Sequence, residues 1–325
     1  MLKTFKPFTK GEGFKMKFIK AKPIWPQGCE HEKNVMAGFK VKTGIQGEIM
    51  LRIASPCPFR VFVDGMLVGS NTKAADKECI FEIDIALHGE NSVVAIDALG
   101  NDILPNYVCI EAIKDSEVVF ASGYDFKGVI LYGQKNGTDI WKLTREEKHW
   151  QEDDEMFDST QLTDVQPELI YIKKLKPLKN VNIGVFKESG MLESLLADET
   201  LGADVPKDTE EYFKARKIKI EDIDSEGETI VREGGYVLAE LNSCVTGHIF
   251  TELVANKDSK VNIAVGTSRE EALNPAKDGT VTAFELHESI NTFKIASFNI
   301  YDIKYAAIAV TSGEIIIKKI SVLSV

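Results

Sequence analysis

Cleavage of a glycosidic bond requires two carboxyl groups placed on either side of it. On this chain Glu82 and Asp84 are the pair whose spacing puts both on one face of an extended strand. Position 87 is Leu87, so the third carboxylate of an E-x-D-x-x-E pattern is missing, and the pair reads as solvent-facing strand surface. Glu152, Asp153, Asp154, Glu155 and Asp158 gather charge that calcium could use, but without the spaced D-x-D-x-D-G loop they read as a solvated acidic loop. Sugar recognition asks for an aromatic face beside polar anchors, because a pyranose has an apolar C–H face and a polar rim. Trp25, Trp141 and Trp150 fall in loop-like segments and are the candidates for that role, with His149 beside Trp150. The competing reading is that each tryptophan covers a sandwich end or an inter-domain seam.

Other reactive residue types give less. Cys29, Cys57, Cys79, Cys109 and Cys244 are odd in number and widely spaced, and none lies in a CxxC or Cys/His cluster, so they read as reduced thiols, mostly small buried hydrophobes. His31, His248 and His287 are isolated in sequence. With no GxSxG, P-loop or GxGxxG signature, and no metal-ligand spacing, no cofactor and no metal are expected. The 325 residues carry 39 Lys+Arg against 50 Asp+Glu, a formal net charge of -11 that repels a phosphate backbone, so nucleic acid is not an expected partner. No apolar run of membrane-spanning length occurs and the start, MLKTFKPFTKGEGF, has no apolar leader core; no membrane partner and a cytoplasmic location are expected.

The elements that would position these residues are strands. Met36 to Val41, Glu48 to Ala54, Phe59 to Val63, Cys79 to Ile85, Ser92 to Ala98, Tyr107 to Ile113 and Glu117 to Ala121 alternate or run apolar between Gly, Asn and Asp. Asp64-Gly65 supplies the two positive-φ residues of a tight hairpin into Met66 to Val68. After an irregular stretch, strands return at Gly235 to Leu241, Thr246 to Val254, Lys260 to Gly266, Val281 to Leu286, Thr292 to Ala296, Ile300 to Val310 and Glu314 to Val322. Between the two groups, Gln166 to Leu175 has strand character, and Thr209 to Ile218 reads as a short helix capped by Asp208, with acids in its first turn and bases in its last. The expected fold is all-β: two antiparallel, jelly-roll-like β-sandwich domains joined by an irregular, partly helical linker. The expected bounds are a leader over 1–30, a first sandwich over 31–132, a connecting region over 133–227 and a second sandwich over 228–325.

The order of certain strings adds a resemblance. AKPIWP from Ala21, followed by GFKVKTGIQGEIMLRIASPCPFRVFVDGMLVGS (Gly38 to Ser70) and FEIDIALHGENSVVAIDAL (Phe81 to Leu99), resembles the amino-terminal domain of bacterial α-L-rhamnosidases, with Asp64 where Asn is usual. GGYVLAELNSCVTGHIFTELVANKDSKVNIAVGTSREEALNPAKDGTV (Gly234 to Val281) and FNIYDIKYAAIAV (Phe298 to Val310) resemble the sandwich that precedes the catalytic barrel of that family, with Asn242 where Gly and Lys304 where Arg is usual. The resemblance implies that the catalytic acid and base belong to an (α/α)6 barrel beyond Val325. This stretch would then brace the barrel, contact a rhamnose-containing glycan, and be inactive alone. A free-standing carbohydrate-binding jelly-roll protein is the alternative, and a purely structural or adhesion-like pair of sandwiches a third.

Overall fold

The computed structural model describes residues 17–33, 35–72, 79–101, 105–133, 157–158, 161–162, 165, 167, 169, 171–192, 215–216, 228–273 and 281–325. Among them the fold is all-β but for one short helix. The first sandwich is built from β1 (Val35–Lys42), β2 (Gly47–Ala54), β3 (Phe59–Val63), β4 (Met66–Asn71), β5 (Cys79–Leu87), β6 (Val93–Leu99), β7 (Cys109–Lys114), β8 (Glu117–Ala121) and β9 (Lys127–Gly133), joined by β10 (Phe157–Asp158) and β11 (Tyr171–Lys174). They form a six-stranded sheet in the order β10-β9-β1-β6-β3-β4 and a five-stranded sheet in the order β11-β5-β2-β7-β8. All pairings are antiparallel except β11 with β5. The chain passes repeatedly from one sheet to the other, and the inward side chains interleave: Phe39, Phe59 and Ile96 from one layer meet Leu51, Phe81 and Ile110 from the other.

The hairpin expected at Asp64-Gly65 is present, with φ of 50° and 77°. Asp64 does more than turn the chain. Its Oδ1 accepts the Val93 amide at 2.8 Å and its Oδ2 accepts the Ser92 hydroxyl at 3.0 Å, tying the β3–β4 turn to the start of β6.

The second unit contains β12 (Lys179–Ile183), β13 (Val185–Leu192), β14 (Ala215–Arg216), β15 (Thr229–Arg232), β16 (Gly235–Ala255), β17 (Ser259–Gly266), α1 (Arg269–Leu273), β18 (Val281–Leu286), β19 (Ser289–Ala296), β20 (Tyr301–Ser312) and β21 (Glu314–Ser324). The sequence pattern separates Gly235 to Leu241 from Thr246 to Val254; the chain instead runs through both as one 21-residue strand. The first half of β16 pairs with β13 and β20, and the second half with β19 and β21. A register shift between Glu240 and Val245 marks an irregularity, and Gly247 pairs with both Tyr301 and Ser324, which places it at the passage from one layer to the other. A Cβ on Gly247 would lie 2.2 Å from the Leu323 carbonyl oxygen, so only glycine allows this approach. Val237, Leu253, Ile263, Ile308 and Ile317 fill the core between the layers.

One expectation fails. Of the helix proposed over Thr209 to Ile218, the described residues Ala215 and Arg216 form strand β14, paired with Leu192 and Met191. A short segment with good caps is still marginal as an isolated helix, and the open edge of β13 offers it backbone hydrogen bonds instead.

Candidate functional site

Trp25 does not present a face to solvent. It is fully buried, its ring centroid 5.9 Å from that of Phe39, and its indole N–H donates to the Cys29 carbonyl at 3.1 Å. Its neighbour Ile24 bridges to Val108 and to Gln161, so the described end of the leader is a structural part of the first sandwich and the indole is core. That corrects its candidacy as an exposed sugar-stacking residue. Trp141, His149 and Trp150 lie outside the described residues, as do Glu152 to Glu155.

The carboxylates Glu82 and Asp84 separate in environment. Glu82 is nearly buried and accepts from Arg52 Nε at 2.9 Å, whereas Asp84 is exposed. The register places Arg52 between Glu82 on β5 and Glu111 on β7. Glu111 is fully buried; its Oε2 accepts the amides of Ile19 and Lys20 at 2.8 and 3.1 Å, and Arg52 Nη1 is 3.7 Å from its Oε1. The row Glu82, Arg52, Glu111 therefore fastens the leader to the five-stranded sheet, and Glu82 is occupied by an ion pair that leaves Asp84 without a matched partner for acid–base work.

A second polar cluster joins the two sandwiches. Arg60 on β3 grips Asp97 on β6 through Nε at 3.0 and 3.1 Å and Nη2 at 2.5 Å, and its Nη1 donates to the Ala296 carbonyl of the second sandwich at 2.7 Å. The guanidinium lies 5.1 Å from the Phe62 ring and 5.0 Å from the Phe298 ring, one from each sandwich. Burial pushes the Asp97 carboxyl up, and the adjacent Arg60 opposes that. Beside it His248 is fully buried, with Ser70 Oγ 2.8 Å from Nε2 and the Ser297 carbonyl 2.9 Å from Nδ1; its pKa is lowered to about 4, mainly by burial. Sequence reading missed this seam. The signal was in FRVFV: Phe59, Val61 and Val63 face the core, so Phe62, on the opposite face with Arg60, required a second apolar cover.

In the second sandwich, Glu188 on β13 receives the Tyr236 hydroxyl at 2.7 Å and a bidentate Arg269 at 2.6 to 2.9 Å, anchoring the start of α1. Lys304 donates to the Leu241 and Asn242 carbonyls at the irregularity of β16, and pairs with Glu240 at 3.1 Å. Two positions that depart from the rhamnosidase pattern, Asn242 and Lys304, thus meet at one structural joint. Cys57 and Cys109 are buried and their thiols pushed up, to about 12 for Cys57, which removes nucleophilic thiolate at neutral pH; Cys244 is exposed. Tyr124 is an exposed aromatic with Lys20 and Lys22 ammonium groups 4.7 and 4.8 Å from its ring centroid. Among the described residues no group of three His, Cys, Asp or Glu could hold a metal ion, and no helix is long and apolar enough to cross a membrane.

No protein-family model matches the chain, and no curated protein matches it in sequence. Solved structures do. A GH78 family rhamnosidase of Bacillus sp. GL1 superposes with a TM-score of 0.62 at 10% identity, covering 97% of this chain and 55% of that one. What the two chains share is the fold. The match takes in both sandwiches, and the chain spans little more than half of the rhamnosidase it matches. The α-L-rhamnosidase of Dictyoglumus thermophilum gives a TM-score of 0.48 at 10% identity, over 94% of this chain and 36% of that one. A Pleurotus ostreatus lectin in complex with GalNAc gives 0.35 at 10% identity, over 96% and 77%. At these identities the Bacillus rhamnosidase establishes the shared fold, and the lower scores add nothing to it.

Proposed function

We propose that this chain is the paired-sandwich support of an α-L-rhamnosidase-like glycoside hydrolase, bracing a catalytic (α/α)6 barrel and contributing to the rim where carbohydrate enters. The observation that carries the reading is the superposition of 97% of this chain, both sandwiches included, on one rhamnosidase at a TM-score of 0.62. The seam supports it. A bidentate Arg60–Asp97 pair reaching Ala296, set beside apolar side chains from both sandwiches, makes a stiff joint of the kind a brace requires. The polar clusters of the described residues also serve assembly: Glu111 holds the leader, Glu82 holds Arg52, and Glu188 holds α1.

The test pairs two measurements on the purified chain. An aryl α-L-rhamnoside is expected to release no chromophore, and calorimetry with L-rhamnose and rhamnose oligosaccharides is expected to give at most millimolar affinity. Hydrolysis by the chain alone overturns the reading. Micromolar binding abolished by Trp150→Ala also overturns it, in favour of a free-standing carbohydrate-binding protein.

A further inference from the structure

The surface that joins the two sandwiches is largely apolar: Phe62, Leu67 and Ala95 from the first meet Phe250, Phe298 and Leu323 from the second. Set into it, His248 is fully buried and is held from both sides, by Ser70 of β4 across the joint and by the Ser297 carbonyl on its own side. A carbonyl only accepts, so Nδ1 carries the proton. Nε2 is then a bare lone pair that accepts from the Ser70 hydroxyl. Burial favours the neutral ring, and in that form the Ser297 carbonyl fixes the tautomer.

We propose that His248 is a proton-operated latch between the two sandwiches, closed when the imidazole is neutral and opened when it is protonated. The hydroxyl of Ser70 can turn to accept from a protonated ring, so the hydrogen bond itself is not what fails. What fails is charge. Arg60 of β3 already places one cation in the same water-excluded joint, and Asp97 of β6, its counter-ion, is engaged by it in bidentate fashion. Of the other elements packed here, β19 brings Lys294, whose ammonium donates to the Asp64 carbonyl at 3.0 Å, another positive group; β21 places Leu323 opposite His248 and β4 brings the neutral Ser70. Among the described residues the anion set in this joint is Asp97, and Arg60 already engages it, so a second buried cation here is costly.

The sign follows from linkage. The ring's folded-state pKa of about 4 lies below its ordinary 6.5, so the opened or unfolded chain binds the extra proton more tightly. Stability from the closed joint is complete above pH 6.5 and is lost as pH falls toward 4. The equilibrium constant is expected to move by about a hundredfold between pH 7 and pH 4 from this ring alone. Protonation of Asp97 at low pH withdraws the anion from Arg60 and does not restore a partner for His248.

The test uses the whole chain with 15N-labelled histidine. One ring is expected to show Nδ1 protonated and Nε2 bare at pH 7, with no titration until near pH 4. Small-angle scattering is expected to show the molecule lengthening over the same interval while the far-ultraviolet signature of the strands persists. His248→Gln, which stays neutral, is expected to lose about a hundredfold of the pH dependence of urea unfolding. A ring that titrates near 6.5, a scattering profile unchanged until the strands themselves are lost, or a Gln variant with the natural pH slope each overturns the latch. Should the Gln variant not fold, the spectrum and the scattering of the natural chain decide the matter.

Discussion

Asp64 shows how one residue couples a turn to a sheet. It occupies a left-handed conformation and caps the start of β6 with both carboxylate oxygens. Asp64→Ala removes two hydrogen bonds and places an alanine at positive φ, so urea unfolding is expected to show a loss of about 2 kcal/mol. Asp64→Asn keeps an acceptor for the Val93 amide and suits the left-handed region, and is expected to stay within about 0.5 kcal/mol of the natural chain. Equal losses in the two variants would mean that the capping bonds contribute little. The turn was legible in sequence because its chemistry is local: Asp-Gly between apolar strands leaves few other conformations. Arg60 and His248 were not legible, since a charged or titratable residue in a strand reads as surface until the layer that covers it is known. Trp25 was misread for the related reason that a loop-like segment reads as surface, whereas here its neighbour Ile24 bridges to Val108 and Gln161 and the indole is covered.

At the level of elements, the leader is secured by one carboxylate. Glu111 Oε2 takes two amides of residues 19 and 20 at 2.8 and 3.1 Å, and Lys22 N donates to Ser122 O at 3.0 Å beyond it. Glu111→Ala is expected to cost roughly 2 to 4 kcal/mol and to expose the segment around Lys20 and Lys22 to trypsin while the strands stay protected. Cleavage there at the natural rate would show that the apolar packing of Ile24 and Trp25 holds the leader unaided. The strands themselves followed from alternation and turn residues, but the length of β16 did not. Leu241 to Cys244 looks like a break between two strands, and only the pairing of its two halves with different layers shows that the backbone continues through an irregularity braced by Lys304. The two described positions of the helix expected over Thr209 to Ile218 depart from it for the converse reason: at Ala215 and Arg216 the edge of β13 outweighs the local capping signals.

Across the whole molecule, the two sandwiches share a surface that is apolar, ion-paired and hydrogen-bonded at once, and β11 and β12, at either end of residues 171–183, belong to different sandwiches. A connection so short between sheets so placed leaves the units little freedom to separate without breaking the joint. That rigidity is what a support for a larger catalytic body needs, and it is the reason for reading the pair of sandwiches as one functional piece. The most direct test is capture from the cells that make the protein. Antibodies against this chain, applied to a native extract, are expected to remove α-L-rhamnosidase activity from solution in proportion to the chain removed. A depleted extract that keeps its full activity would contradict the account.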